Sequence, residues 1–324
     1  MRQLPRTRPV VLQGGGEERI REPETDRAFE GADAVSFFVR VPGSCGELAQ
    51  GSIDGVRLHV SCPVNRYSWA APENESERRR LGPKVRKALH LAQASFGKKT
   101  IDAFSLYSDL PVGKGMASST ADIAAALAAY QLTTGSFIDP DQTARLSLAV
   151  EPTDGVLFEG ITLFDHYRGT VRRALGEPPP VDILAIEFEG TVDTVSFNQR
   201  DHRRIAREQT RSVLAAFGLI EEGLREGCVR KIGEGATLSA LAHQNLLRKP
   251  DLEPILKMTL DLGGVGVNIA HSGSMIGMLF RRGTYRLGTV RRRIRDLLRR
   301  PLPIHPLRLR GGGIEMGRGG GEIE

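Results

Sequence analysis

The pattern of apolar and polar positions changes character along the chain. Residues 1–34 hold Pro, Gly, Arg and Glu with almost no apolar period, and Gly14-Gly15-Gly16 interrupts them, so they read as a disordered extension. Order is expected to begin at Val35, because residues 35–41 are β-rich and run into Pro42-Gly43, a turn signal. The same criteria predict strands over 56–60, 68–70, 101–107, 160–165 and 183–188, and later over 266–270 and 275–280. Helical spacing marks 83–94, 119–132, 139–149, 203–218, 219–227, 232–244, 250–261 and 289–299. Pro178-Pro179-Pro180 is the clearest internal punctuation. It suggests a boundary between a domain over 35–180 and a second over 181–300, with a tight inter-strand loop as the equal alternative. Residues 301–324, with glycine triplets at 311–313 and 319–321, read as a disordered tail. Strands and helices mix without a regular β-α-β alternation, which favours an α+β architecture over a doubly wound sheet.

Composition narrows the classes. The 324 residues are 40% apolar and 26% charged, enough for one large or two medium cores. No window approaches the roughly 18–20 apolar residues of a membrane span, and Arg2, Arg6 and Arg8 precede only Val10-Val11-Leu12, too short for a secretory leader. Cys45, Cys62 and Cys228 are odd in number and form no C-x-x-C pair, so a reducing, cytoplasmic setting is expected. The formal net charge of +6 is local: residues 281–310 hold eleven arginines against one acid, Asp296. Within that block Ile294, Leu297 and Leu298 stand at i, i+3 and i+4, predicting an amphipathic helix with a dense basic face. Such a face suits RNA or an anionic lipid surface, but only Tyr285 supplies a nearby aromatic ring, and a solvated face is the favoured reading. Neither a membrane nor a nucleic acid is therefore an expected partner. An RNA-associated module remains the alternative from a different functional class, and oligomeric state is not legible.

Three glycine-bearing stretches carry the candidate chemistry. Leu110-Pro-Val-Gly-Lys-Gly-Met-Ala-Ser-Ser-Thr-Ala-Asp122 places Pro111, Gly113 and Gly115 in a turn before a strong helix former. Free N–H groups and the positive helix end would meet there, a cradle for a triphosphate, with Lys114 adding charge and hydroxyls available to a hard cation. An ordinary Gly turn with a Ser/Thr N-cap is the competing reading, since the Walker spacing is absent. Val41-Pro-Gly-Ser-Cys-Gly-Glu-Leu-Ala-Gln-Gly51 is a sharp excursion whose one acid is Glu47, and Gly263-Gly-Val-Gly266 leads through a strand to His271-Ser-Gly-Ser-Met275. Cys45 lacks a neighbouring His and reads as a packed or cleft-lining residue rather than a nucleophile. His271 next to Ser272 lacks the G-x-S-x-G elbow of a hydrolase. His59, His90, His166 and His243 show no metal-ligand spacing and read as surface or satisfied core residues.

In this order, P-G-x-x-G-E, P-x-G-x-G-x-x-S-S and a late G-V-x-x-x-H-S-G-S, the motifs resemble the GHMP family of small-molecule kinases over roughly residues 35–300. Within it, P-G-S-C-G-E-L-x-Q-G, G-K-G-M-A-S-S-T-A-D and E-P-T-D resemble the branch that phosphorylates L-threonine for adenosylcobalamin synthesis. Homoserine or another small alcohol is the alternative acceptor. The resemblance implies an N-terminal α+β ATP-binding domain and a C-terminal ferredoxin-like domain, with ATP and Mg²⁺ used in the cleft between them. It implies that Pro111, Gly113, Lys114, Gly115, Met116, Ala117, Ser118, Ser119 and Thr120 hold ATP, with Ser119 on Mg²⁺ and Glu151 as a further metal ligand. It implies that Ser44, Cys45, Gly46, Glu47, Ser272, Gly273 and Ser274 frame the acceptor, and that Asp154 of Glu151-Pro-Thr-Asp-Gly155 is the base. The alternative for Asp154 is a structural Asx turn set by Pro152 and Gly155.

Overall fold

The computed structural model describes residues 37–72, 81–97, 104–190 and 203–318. The extension expected over 1–34 lies outside them. Two long strands, β1 (Phe37–Ile53) and β2 (Val56–Pro72), form the central hairpin. Asp54 and Gly55 join them, both with positive φ (50° and 81°), the backbone that a two-residue hairpin turn demands. Pro42-Gly43 does not end the first strand as expected. The chain bulges at three register shifts between Pro42 and Ala49 and keeps pairing with β2. Glycine permits this: Gly46 sits at φ 59°, and a Cβ on Gly43 would stand 2.7 Å from the Met116 carbonyl oxygen. The two short strands expected over 56–60 and 68–70 are likewise one continuous β2.

Helices α1 (Pro83–Phe96), α2 (Ser118–Thr134) and α3 (Pro140–Leu148) belong to the N-terminal half with β3 (Phe104–Ser108), β4 (Ile161–Asp165) and β5 (Arg172–Gly176). The Ala-rich α2 is buried on nearly every side from Thr120 to Tyr130, so it runs through the core instead of lying on it. Asp139 begins α3 with a reciprocal capping box to Gln142. Pro178-Pro179-Pro180 is the loop between β5 and β6.

The C-terminal half runs β6 (Val181–Glu187), α4 (Arg203–Glu226), α5 (Val229–His243), α6 (Leu252–Asp261), β7 (Gly266–Ile269), β8 (Met275–Arg281), α7 (Leu287–Leu298) and β9 (Ile304–Arg308). Its strands lie in the order β7-β8-β6-β9, all antiparallel, which is the ferredoxin-like arrangement. The halves share one ten-stranded sheet, and they join where β1 pairs β7 at Glu47 and Ile269. The described residues form one compact unit accordingly.

Three expectations need correction. The two helices expected over 203–218 and 219–227 are one, Arg203–Glu226, which Gly218 does not interrupt and which ends at the left-handed Gly227; Gly223 is where α5 crosses closely, its Cβ position lying 2.8 Å from Ile232. The tail is not disordered up to residue 318: β9 pairs with β6, and β10 (Glu315–Arg318) pairs with β1. Glu315 receives both Arg310 of the same tail and the remote Arg40, so a partner far away in sequence helps hold a segment that is glycine-rich by itself. On α7 the buried positions are Val290 and Ile294, with Leu298 packed beside them, whereas Leu297 is 41% exposed. A spacing of four keeps one face, and Leu297 is rotated off it.

Candidate active site

The second glycine stretch folds as a loop held by the other two. Ser44 N–H donates to the Met116 carbonyl at 3.0 Å, and Gly46 N–H donates to that of Gly115 at 3.1 Å. Carbonyl and following N–H are anti across a trans peptide, so the amides of Met116 and Ala117 point away from β1. Both residues line a cavity of ≈ 370 Å³. From the third stretch, Gly273 presses so closely that a Cβ there would lie 2.1 Å from the Lys114 carbonyl oxygen. A Cβ on Gly115, itself at φ 88°, would lie 2.2 Å from that of Ala270. The Ser/Thr cap of the competing reading does not form: Ala117, in a left-handed conformation, occupies the N-cap position of α2, and no side chain caps the helix. First-turn N–H groups at the cavity wall therefore lack the usual side-chain acceptor, the arrangement that binds phosphate oxygens.

Beside this loop Ser119 Oγ donates to Glu151 Oε1, and Lys84 Nζ lies 2.6 Å from Glu151 Oε2. Glu151 is buried, Lys84 half exposed. Hydroxyl and carboxylate oxygens converging beside a phosphate cradle are the hard donor set that Mg²⁺ takes, and Ser119 with Glu151 fits it. Lys84 was not anticipated, and nothing in its sequence surroundings beyond Pro83 at a helix start marks it. Thr120 Oγ1 accepts from the Asp154 N–H at 3.2 Å, and Thr153 N–H donates to the His166 carbonyl at 2.9 Å, which fixes the turn carrying Asp154 against α2 and β4.

The opposite wall is made of side chains. Glu47, His59, Asp154, His166 and His271 all reach the cavity, from β1, β2, the turn after α3, the end of β4 and the end of β7. His59 stacks on His166 with ring centroids 3.7 Å apart, and His271 meets His59 edge-on at 4.4 Å. Burial, with help from neighbouring positive groups, keeps these rings neutral: His59 is pushed down to about 3, and His166 and His271 fall well below the usual histidine value. Glu47 is raised well above the carboxylate range by burial and by the Asp154 charge, and Asp154 is raised by burial. A hydrogen bond with Glu47 offsets part of the rise at Asp154, and burial of the two carboxyls together favours a proton on the pair. The expectation of scattered surface or core histidines is overturned for His59 and His166, which are buried against the cavity; His243 is buried behind them, its Nε2 2.9 Å from the His271 carbonyl oxygen. His90 is exposed on α1.

Other expected site residues act elsewhere. Ser44 is buried, donating from Oγ to Gly46 O and accepting from Cys62 N–H at 3.0 Å, so it braces the bulge. Cys45 is buried beside Gly277, its thiol pushed up to about 12 by burial, which fits packing and not nucleophilic chemistry. Lys114 extends away to Glu187 Oε1 (3.3 Å) and to the carbonyls of Phe188 and Gly190. Ser274 donates to Phe188 O and lines a second cavity of ≈ 300 Å³, while Ser272 lines the first. Pro111 sets the loop entry without lining the cavity.

Residues 83–159 match the GHMP kinases N terminal domain and residues 220–295 match the GHMP kinases C terminal domain. The chain is 35% identical to the L-threonine kinase of Salmonella typhimurium, over 85% of this chain and 94% of that protein. It is also 35% identical to the L-threonine kinase of Citrobacter freundii, over 85% and 98%. Among solved structures it is similar to homoserine kinase from Cytophaga hutchinsonii (TM-score 0.66, 16% identity, 89% of this chain and 99% of that one). Galactokinase from Lactococcus lactis is also similar (TM-score 0.61, 10% identity, 86% and 95%).

Proposed function

This chain belongs to the GHMP kinase family, with that family's two-domain fold, and from that premise we propose that it phosphorylates the side-chain hydroxyl of L-threonine with ATP. The observation that carries the proposal is one cavity with two unlike walls: uncapped helix amides beside the Ser119–Glu151 pair, and facing them a half-buried carboxylate, Asp154. L-threonine as acceptor rests on the two relatives of that name, each matched over most of its length. A role in adenosylcobalamin synthesis rests on motif resemblance and belongs to the same proposal.

In this reading the amides of Met116 and Ala117 and the first turn of α2 bind phosphate oxygens. Ser119 and Glu151 hold Mg²⁺, which supplies charge neutralisation on the transferring phosphoryl group. Lys84, paired with Glu151 at 2.6 Å, aims its carboxylate. Asp154 accepts the hydroxyl proton as the oxygen attacks phosphorus, and Glu47, when it carries the pair's proton, leaves Asp154 the member free to accept one. The glycines exclude side chains where backbone must meet phosphate. ADP release over a panel of L-threonine, L-serine, homoserine and mevalonate tests the proposal. A preference for L-threonine supports it; turnover of homoserine or mevalonate in its place, or of none of them, overturns it.

A further inference from the structure

The phosphoryl-transfer scheme uses Asp154 and Glu47 but leaves three neutral imidazoles on the same wall without a task. One nitrogen from each of His59, His166 and His271 lies within 4.8 Å of the others, and the same holds for ligand atoms of Glu47, His59 and Asp154. His59 belongs to both sets. Its Nδ1 is buried, has no hydrogen-bond partner among the described residues, and stands 3.7 Å from Glu47 Oε1 and 3.8 Å from Asp154 Oδ1. Those separations are too long for hydrogen bonds. Two ligands about 2.1 Å from a shared ion stand roughly 3.4 Å apart at the tetrahedral angle, so His59 and either carboxylate need shift by only tenths of an ångström to share one, and imidazole nitrogens up to 4.8 Å apart by about an ångström. His271 carries the supporting contact typical of a ligand: its Nδ1 meets Gln50 Oε1 at 2.6 Å, which makes Nδ1 the donor and Nε2 the lone-pair nitrogen. The two carboxyls form no ion pair with Lys or Arg among the described residues, and burial raises both, so a cation between them would take the place of a proton.

We propose that His59, His166 and His271, with a carboxylate from the Glu47–Asp154 pair, form a binding site for a first-row transition-metal dication such as Zn²⁺ or Co²⁺. The nitrogen-rich set separates it from the all-oxygen Ser119–Glu151 pair, which suits Mg²⁺. Occupation replaces the shared proton and sets a dication against Asp154. The ion therefore blocks the proton acceptor and inhibits the kinase while the phosphate loop still binds nucleotide. The site does not depend on which alcohol is the acceptor.

The test is titration of the chelator-treated full chain with Co²⁺, followed by visible absorption, and with Zn²⁺ by calorimetry, both in excess Mg²⁺. The expected result is one equivalent bound per chain with a low-symmetry Co²⁺ spectrum, and affinity lower by about tenfold or more in His166→Asn and His271→Asn. Anomalous diffraction from Zn²⁺-soaked crystals of the unaltered chain reads the position without any variant and stays decisive if the variants fail to fold; a peak between the three rings supports the site. Absence of saturable binding, unchanged affinity in well-folded variants, or a peak elsewhere overturns it. A chain that takes no metal while His166→Asn raises KM for L-threonine would assign the cluster to the acceptor's own polar groups, and that too overturns the metal site.

Discussion

The two walls of the cavity solve different problems with different materials. The proposed phosphate side is backbone: amides turned outward by Gly113 and Gly115, a helix start without a side-chain cap, and glycines at 115 and 273 that leave no room for Cβ. The proposed acceptor side is side chains from five separate elements, buried or half-buried, with imidazoles held neutral and carboxyls raised by burial. A backbone wall is sensitive to shape and indifferent to pH. A side-chain wall is the reverse, because its charge state is set by burial and by neighbours.

That contrast can be broken on either side. Asp154→Asn should lower kcat by about 10²–10⁴ while ATP affinity, read by calorimetry, stays near its original value; retention of most of kcat in a folded variant would remove the base from the scheme. Gly273→Ala acts on the other wall, where the new methyl meets the Lys114 carbonyl. Catalytic efficiency should fall on the order of 10²-fold, and stability by about 1–3 kcal/mol in thermal melts, with the shape of the pH profile unchanged. Glu151→Gln should raise the Mg²⁺ concentration needed for half-maximal rate by roughly tenfold and leave KM for the alcohol nearly unaltered. The smallest effect is a shift. The Asp154 carboxyl titrates above its ordinary value, so kcat/KM should rise with pH across that raised range. Glu47→Ala removes a donor that lowers Asp154, so the acid limb should move to higher pH, whereas Glu47→Gln keeps an N–H donor and should hold it in place.

The same contrast explains how much could be read in advance. The phosphate wall is contiguous in sequence, and Pro111 to Thr120 announced both the loop and the helix it opens. Even there Ala117 took the cap position expected of a hydroxyl, because the left-handed turn after Gly115 places it at the helix start. The acceptor wall was half legible. Glu47 and Asp154 lie in motifs, but His59, His166 and His271 are more than a hundred residues apart from one another and meet only because β1, β2, β4 and β7 share one sheet. No local spacing encodes that meeting. Lys84 and the strands β9 and β10 were missed for the same reason, since their partners Glu151, β6 and β1 are remote in sequence. The ferredoxin-like half came through the motif resemblance, and the observed β7-β8-β6-β9 order bears it out.

The central claim is that the phosphoryl group leaves ATP for the hydroxyl of L-threonine. Phosphorus–proton correlation spectroscopy of the completed reaction tests it most directly, because it reports which oxygen carries the phosphate. The account predicts a single phosphomonoester coupled to the threonine β-proton, in one-to-one yield with ADP. Inorganic phosphate alone, or ADP formed with threonine unchanged, would contradict it.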